Sequence, residues 1–496
     1  MTGTPEETSV QTSATGGADE SRSYDVVVVG AGPVGENVAD RVRAGGLSVA
    51  LVESELVGGE CSYWACMPSK ALLRPPAALA EARRLAGARE AATGTLDPAA
   101  ALGRRDDFVA HWKDDGQVAW VAGIGADLVR GHGRLDGVRR VRVEQPDGRS
   151  LLLTVRHAVV VSTGSRAVLP PLPGLDEAAP WTSREATSSD AVPGRLAVVG
   201  GGVVGVEMAT AWQALGSQVV LLVRGSGLLP QLEPFAGELV ATALTEAGVR
   251  VRTGVNVTAL HRRSPDQPVT LDLDDGTTLE ADQVLFATGR APRTDDLGLD
   301  TVGLQPGSWL TVDDHCRVTA VPDGWLWATG DVNHRALLTH QGKYQARMAG
   351  AAIAARAAGR PLDPAPWGPH TATADHASVP QVVFTDPEVA AVGLTADRAE
   401  RAGLRTRVVD YDLGRVAGAS LYADGYRGRA RMVVDLDRDC LAGVTFVGPG
   451  VAELLHSATV AVAAQVPVGR LWHAVPSYPT ISEIWLRLLE AYRDAD

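Results

Sequence analysis

Twice in this chain an apolar strand runs into a Gly-x-Gly-x-x-Gly turn and a helix, and a second apolar strand follows. In the first copy Tyr24-Asp-Val-Val-Val-Val29 is the β-branched run expected of a buried parallel strand. Gly30-Ala-Gly-Pro-Val-Gly35 is the turn, a helix is expected from about Pro33 to Ala44, and residues 47–52 form a second strand that ends on Glu53. Gly30, Gly32 and Gly35 permit the tight turn and let backbone N–H groups approach a pyrophosphate where Pro33 opens the helix. Glu53 can accept hydrogen bonds from a ribose. The second copy begins 170 residues later, with Gly200-Gly-Gly-Val-Val-Gly205 following the strand at 195–199. Gly200, Gly202 and Gly205 take the same places, a helix is expected at 206–215, and the next strand, 218–223, ends on Arg224 instead of an acid. A cation there suits a 2′-phosphate, which favours NADPH while leaving NADH possible.

A chain of 496 residues is expected to form about three domains and can bury a sufficient core without disulfides or metals. The net charge of −13, with scattered basic residues, argues against nucleic acid or an anionic membrane as partner. No apolar run has the length of a membrane span. Residues 1–22 are rich in Ser, Thr, Gly and Glu and lack a basic start and an apolar stretch, so a disordered tail is expected and not a secretory signal. Four cysteines in so long a chain fit a reducing compartment, the cytoplasm. Cys316 and Cys440 are lone thiols, expected to be buried.

The other two cysteines lie in Gly58-Gly-Glu-Cys-Ser-Tyr-Trp-Ala-Cys-Met-Pro-Ser-Lys70. Zinc usually takes four ligands with tighter cysteine spacing, so no metal site is expected. A two-cysteine segment this close to a dinucleotide turn suggests a disulfide that exchanges electrons with a bound cofactor. Lys70 stands out because the chain has only three lysines. Met67-Pro-Ser-Lys70 is expected to start a helix with Pro68 in its first turn. Two further apolar strands, reaching Thr163-Gly164 and Thr288-Gly289, end in Thr-Gly, and Trp325-Leu-Trp-Ala-Thr-Gly-Asp331 ends on an acid. Asp331 could hydrogen-bond the polyol of a flavin. Residues 356–369 are expected to be a linker. Strands at 381–384, 429–434 and 442–447 and an amphipathic helix at 481–492 indicate a mixed α+β domain.

In this order the motifs resemble the pyridine nucleotide-disulfide oxidoreductases: the first glycine turn, Gly-Gly-x-Cys-x4-Cys-x-Pro-Ser-Lys, Thr-Gly-Ser, the second glycine turn followed by Glu207, Ala-Thr-Gly-Arg, Ala-Thr-Gly-Asp and Phe384-Thr-Asp-Pro-Glu-Val-Ala-Ala-Val-Gly393. The resemblance spans residues 24–493 and implies an α/β fold with two Rossmann-like domains and a C-terminal α+β interface domain. The expected divisions are an FAD domain at 23–166 and 296–366, an NAD(P)H domain at 167–295 and a dimerisation domain at 375–496. It also implies a homodimer with a shared active site. Reducing equivalents would pass from NADPH through FAD to a Cys61–Cys66 disulfide, with Cys66 the flavin-contacting thiolate and Cys61 the exchange thiol. A thiolate of this kind needs nearby positive charge or a helix N-terminus. Lys70 and Glu207 match the family's ion pair beside the flavin. Gly59, Thr163, Gly164, Asp331, Leu338 and Thr339 fall at the flavin site, and Gly289 with the second glycine turn falls at the nicotinamide nucleotide.

One departure bears on the chemistry. Where the family ends in His-Pro-Thr-x-x-Glu, this chain has Tyr478-Pro-Thr-Ile-Ser-Glu483. A phenol ordinarily titrates near ~10 and an imidazole near ~6.5, so tyrosine is a poor proton shuttle at neutral pH. His473 and His456 lie nearby in sequence. Mercuric reductases also place tyrosine here but carry a C-terminal cysteine pair, and this chain has no cysteine after Cys440. The expected acceptor is a small-molecule disulfide or another small acceptor. A quinone or metal ion is the alternative, and a non-catalytic flavoprotein partner or complex subunit the second alternative. Tyr63 and Trp64, unusual between the cysteines, could shape the pocket or simply pack.

Overall fold

The computed structural model describes residues 20–494. Residues 1–19 of the expected tail lie outside the described residues. Glu20, Ser21 and Arg22, expected to belong to that tail, instead open the first strand, Glu20–Val29, and pair with Leu151, Leu152 and Leu153. The apolar leucines of the partner strand extend the ladder four residues beyond the apolar run at 24–29.

The first sheet has seven strands. Its parallel core is Asp127–Arg130, Val49–Glu53, Glu20–Val29, Ser150–Val161 and Leu326–Ala328. Val26, Val27 and Val28 are fully buried because helices and a loop layer cover both faces, as parallel sheets require. The Pro33–Ala44 and Thr339–Ala357 helices pack against each other on one face. The antiparallel strands His132–Leu135 and Arg140–Glu144 extend one edge.

The second unit repeats the strand–turn–helix–strand plan. Arg250–Thr253, Gln218–Val223, Arg195–Val199 and Gln283–Phe286 form a parallel sheet, backed by an antiparallel sheet of Val257–His261, Val269–Leu273 and Thr278–Ala281. Ser165–Ala167 and Arg290–Pro292 pair antiparallel where the chain leaves and re-enters the first unit. The C-terminal unit is a five-stranded antiparallel sheet in the order Pro380–Val383, Glu388–Gly393, Cys440–Gly448, Arg429–Asp435, Thr406–Asp412. The Leu455–Ala463 and Ile484–Asp494 helices cover it. The last helix is shorter at its start than the amphipathic pattern indicates, because Ile481–Glu483 forms a 3₁₀ turn.

The two-cysteine segment folds as a short helical turn, Gly59–Tyr63, and then the Cys66–Arg83 helix, with Pro68 in its first turn. It is held from outside by Arg105, on the Pro98–Phe108 helix and only 1 % exposed. Arg105 donates to the carbonyls of Thr187 at 2.6 Å and Ser189 at 3.0 Å and pairs with Asp106 at 2.6 Å. Thr187 Oγ1 lies 2.8 Å from the Trp64 carbonyl. The Arg105 guanidinium also sits 5.3 Å from the Trp112 ring, and Trp112 Nε1 donates to the Tyr63 carbonyl at 3.2 Å. Trp112 ends a turn in which Ala110, His111 and Trp112 all have left-handed φ, a conformation costing roughly 1–2 kcal/mol per residue. One buried cation therefore fixes both residues, Tyr63 and Trp64, that stand between the cysteines. Arg105→Met leaves two buried carbonyls without donors and is expected to destabilise the fold by roughly 2–4 kcal/mol, with Arg105→Lys intermediate. Thermal melts of the three proteins check this, and equal midpoints for parent and Arg105→Met would refute it.

Candidate active site

Both glycine turns have the same geometry. Gly30 N donates to Val52 O at 2.9 Å, and Gly200 N donates to Leu222 O at 2.9 Å. A Cβ on Gly35 would lie 1.9 Å from Gly30 O, and one on Gly205 would lie 1.9 Å from Gly200 O. Helix and strand thus approach too closely for any side chain, and Gly32 and Gly202 put no side-chain cap on the first N–H groups of the Pro33–Ala44 and Val203–Ala214 helices. That arrangement binds phosphate oxygens.

A cavity of about 1380 Å³ opens at the carboxyl ends of the first sheet. It exceeds the roughly 300–1,000 Å³ of ordinary small-molecule pockets. Gly30, Gly32, Pro33, Glu53, Gly59, Cys61, Cys66, Lys70, Thr163, Gly164, Glu207, Asp331, Leu338 and Thr339 all line it. Gly35 lies behind the first turn. Gly200, Gly202, Gly205, Arg224 and Gly289 lie at the second turn, outside this cavity. The cavity fits an extended dinucleotide with a flavin end. The glycine cradle lies along it, and Thr163 Oγ1 is a buried polar atom with no partner among the described residues. Glu53 already accepts from Ala31 N and Glu55 N, both at 2.8 Å, and burial pushes its carboxyl up. Ser165 Oγ donates to Asp331 Oδ2 at 2.5 Å, and burial likewise raises Asp331. Its turn is pinned by Gln345, which accepts from Gly330 N and donates to the buried Asp375.

Cys61 and Cys66 are both thiols. The hydroxyl of Thr339 lies 3.2 Å from Cys61 Sγ and 3.4 Å from Cys66 Sγ. The two sulfurs are held unequally. A hydrogen bond from Cys61 brings Cys66 down to about 6, with the Thr339 hydroxyl and the Lys70 charge acting the same way against burial. Cys66 is also the first residue of its helix, where the N-terminal partial charge favours a thiolate. The same hydrogen bond, with burial, pushes Cys61 up.

Lys70 Nζ lies 2.7 Å from Glu207 Oε2 and 5.0 Å from the Phe384 ring. Glu207 is 3 % exposed, and its other oxygen accepts from Phe384 N at 3.0 Å. Three units of the chain meet on this carboxylate.

Tyr478 and Glu483 do not line the cavity. Tyr478 is 76 % exposed. Its segment rests on Gly418, where a Cβ would come within 2.0 Å of the Thr480 carbonyl carbon. Glu483 is 6 % exposed; Oε1 accepts from Arg487 at 2.6 Å, while Oε2 is buried without a partner among the described residues. His456 and His473 are both exposed.

Some lining residues carry little sequence signal. Glu60, next to Cys61, faces Arg293 at 2.8 Å, Arg184 at 3.4 Å and Arg290 at 3.5 Å. Arg184 stacks 4.0 Å from the Trp64 ring. Trp64 is thus part of the cavity wall, whereas Tyr63 is 2 % exposed and packs. His340 and Lys343 also line the cavity. An acid directly before Cys61, and one of only three lysines, were the available signals.

Residues 24–358 match the pyridine nucleotide-disulphide oxidoreductase family model, and residues 379–488 match that family's dimerisation domain, which supports a homodimer. The chain is 33 % identical over 481 residues to dihydrolipoyl dehydrogenase 3 of Pseudomonas aeruginosa, covering 93 % of this chain and 96 % of the relative. It is 32 % identical over 475 residues to dihydrolipoyl dehydrogenase of Thermus scotoductus, covering 95 % and 97 %. Among solved structures, LpdA of Mycobacterium tuberculosis superposes with a TM-score of 0.79 at 25 % identity, over 95 % of this chain and 99 % of that one. The flavoprotein disulfide reductase RclA of Escherichia coli, at 24 % identity, shares the fold with a TM-score of 0.80 over 95 % and 99 %. No helix among the described residues is long and apolar enough to cross a membrane. The alternatives of a quinone or metal-ion reductase and of a non-catalytic flavoprotein are not favoured by these relatives. The chain belongs to the pyridine nucleotide-disulfide oxidoreductase family and is an oxidoreductase that works with FAD and a pyridine nucleotide.

Proposed function

We propose that this enzyme passes two electrons from NADPH, by way of FAD, to the Cys61–Cys66 pair and from there to a small disulfide. The oxidised form of the dihydrolipoyl group named for the relatives is one member of that class. The observation that carries this reading is the unequal pair of sulfurs around one hydroxyl, Thr339, inside a dinucleotide-sized cavity.

FAD, when bound, supplies two-electron transfer between the nicotinamide and the sulfur pair. Gly30, Gly32 and Pro33 would hold its pyrophosphate, and Glu53 its ribose. Asp331 would hold its polyol, while Gly59, Thr163, Gly164, Leu338 and Thr339 would enclose the rest. Lys70, fixed by Glu207, presents its charge at the flavin end. Gly200, Gly202, Gly205 and Gly289 would receive NADPH, with Arg224 on its 2′-phosphate. Arg224 is exposed and has no hydrogen bond or ion pair among the described residues, so it is open to that contact.

Cys61 faces the acceptor in this reading. Its sulfur attacks one acceptor sulfur, the acceptor's S–S bond breaks, and a mixed disulfide forms. The other acceptor sulfur leaves as a thiolate, and the Cys66 thiolate then attacks Cys61 Sγ, closing the Cys61–Cys66 bond and releasing the sulfur held in the mixed disulfide. The acceptor gains two electrons and two protons: the pair supplies both electrons and the Cys61 proton, and solvent supplies the second proton. Cys61 must first give up its proton, and the released thiolate must gain one. In a homodimer the exposed Tyr478 segment would reach Cys61 of the partner, with Glu483 behind it, so a phenol would stand where the family uses an imidazole. The cytoplasm is the compartment that suits this dithiol chemistry.

Three outcomes follow from these assignments. In the reduced protein the ultraviolet absorbance of thiolate should titrate with one midpoint well below that of a free thiol, present above that midpoint and lost below it. Cys61→Ala removes the donating thiol and should move the midpoint up; an unmoved midpoint would contradict the assigned asymmetry. Arg224→Glu should shift coenzyme preference toward NADH by roughly 1–3 kcal/mol of differential binding, and equal NADH and NADPH kinetics in the parent would remove the basis for NADPH. Disulfide turnover in the parent should rise toward alkaline pH, and Tyr478→His should raise it near neutrality by about tenfold or more. Cys61→Ser should abolish it. A parent already fast at neutral pH and indifferent to Tyr478→Phe would show that another group carries the proton.

A further inference from the structure

We propose that Lys343 determines acceptor specificity, its ammonium binding a carboxylate carried by the small disulfide that exchanges with Cys61. The inference rests on the exchange role assigned to Cys61 above. Of the three lysines in the chain, Lys70 is paired with Glu207 and Lys113 lies beside Tyr63, whose hydroxyl donates to its carbonyl. Lys343 has no hydrogen bond and no ion pair among the described residues, and it lines the same cavity as Cys61. It follows Thr339 by four residues in the Thr339–Ala357 helix, so the two side chains share a face. Thr339 Oγ1 lies 3.2 Å from Cys61 Sγ. The helix therefore presents a hydroxyl to the sulfur and, one turn on, a cation to whatever approaches that sulfur.

The nearby acid does not neutralise this cation. Glu36, on the Pro33–Ala44 helix, feels the charge of Lys343 but lies beyond ion-pair distance of it. Burial pushes Glu36 up to about 7, and its Oε1 is buried without a partner among the described residues. The acids lining the cavity are engaged elsewhere: Glu60 with three arginines, Glu55 with Arg184, Glu207 with Lys70, Asp295 with Arg166 and Asp296 with Arg134, while Glu53 accepts from two backbone N–H groups and Asp331 from Ser165. A half-buried, unpaired ammonium is a strong partner for a carboxylate, since part of its hydration is already lost. A neutral acceptor would leave it unsatisfied.

The test compares two alkylating reagents that differ in charge, iodoacetate and iodoacetamide, on the reduced, FAD-loaded enzyme, with mass spectrometry assigning the labelled cysteine. Relative to a free thiol in the same buffer, Cys61 should favour iodoacetate by roughly tenfold. That preference should fall to the free-thiol value in Lys343→Met and be kept in Lys343→Arg. In turnover, the parent should show a lower KM for oxidised lipoate than for oxidised lipoamide, which lacks the charge, and Lys343→Met should erase the difference. Labelling of Cys61 with the same reagent ratio in parent and Lys343→Met overturns the inference while leaving the exchange role standing. Labelling of Cys66 with Cys61 untouched overturns the exchange role and this inference with it.

Discussion

The buried carboxylate of Glu207 joins parts of the chain that no local sequence rule brings together. It sits on the first helix of the second nucleotide unit, binds Lys70 on the cysteine-bearing helix and accepts from the backbone of Phe384 in the C-terminal unit. A nearly fully buried carboxylate costs several kcal/mol of desolvation, which only a close cation and a further donor can offset. Both are present, and both come from other units. The relative placement of the three units is thereby tied to the same group that fixes Lys70 in the cavity wall. Lys70 is the more exposed partner and also stacks over Phe384, so part of its charge remains available to the cavity.

The same logic governs the loop between the cysteines. Tyr63 and Trp64 have little to bind within their own segment. They are held by a carbonyl contact from Trp112 and a hydroxyl contact from Thr187, with Arg105 behind both. Arg105 reaches from the first unit to the Ser183–Ser188 helix that leads into the second. Sulfur geometry thus depends on a cation that touches neither sulfur. The Glu60 cluster adds a second tie, since Arg184, Arg290 and Arg293 approach it from the chain segments that leave and re-enter the first unit.

What could be read in the sequence divides along the range of the interactions. The glycine turns, the strands before them and the Pro33–Ala44 helix were legible because backbone geometry dictates them: only glycine tolerates a 1.9 Å Cβ approach, and the β-branched runs are buried on both faces. The Glu388–Gly393 and Thr406–Asp412 strands were not anticipated, because the first is a short run inside a motif and the second alternates charges on an exposed edge. The strand start at Glu20 was missed for the same kind of reason: its residues are polar, and the pairing is supplied by Leu151, Leu152 and Leu153. Within the cavity, residues named by motif, such as Cys61, Cys66 and Lys70, were legible. Glu60, Arg184, His340 and Lys343 were not, since their relevance comes only from long-range contacts. Tyr478 lay in a readable motif, yet within one chain the fold leaves it exposed and away from the cysteines.

The asymmetry of the sulfurs carries a final consequence. A thiolate at Cys66 is favoured by the Cys61 thiol, the Lys70 charge and a helix N-terminus, all of which select the microstate with the proton on Cys61. The Thr339 hydroxyl reaches both sulfurs and so does not by itself choose between them. The arrangement stores charge at the sulfur reached through the helix and withholds it from the other. Under the exchange role proposed for Cys61, a proton must leave as an acceptor arrives; the group already in contact with that proton is the Cys66 thiolate, His340 Nε2 is bonded to the Pro380 carbonyl, and Tyr478 is exposed and does not line the cavity. A cation beside Cys61 lowers that cost without any base, because it stabilises the thiolate as it forms. Lys343 is so placed, and its charge acts on Cys61 in that direction. Under the exchange role proposed for Cys61, electrostatics at Lys343 would supply part of what an imidazole would do by proton transfer.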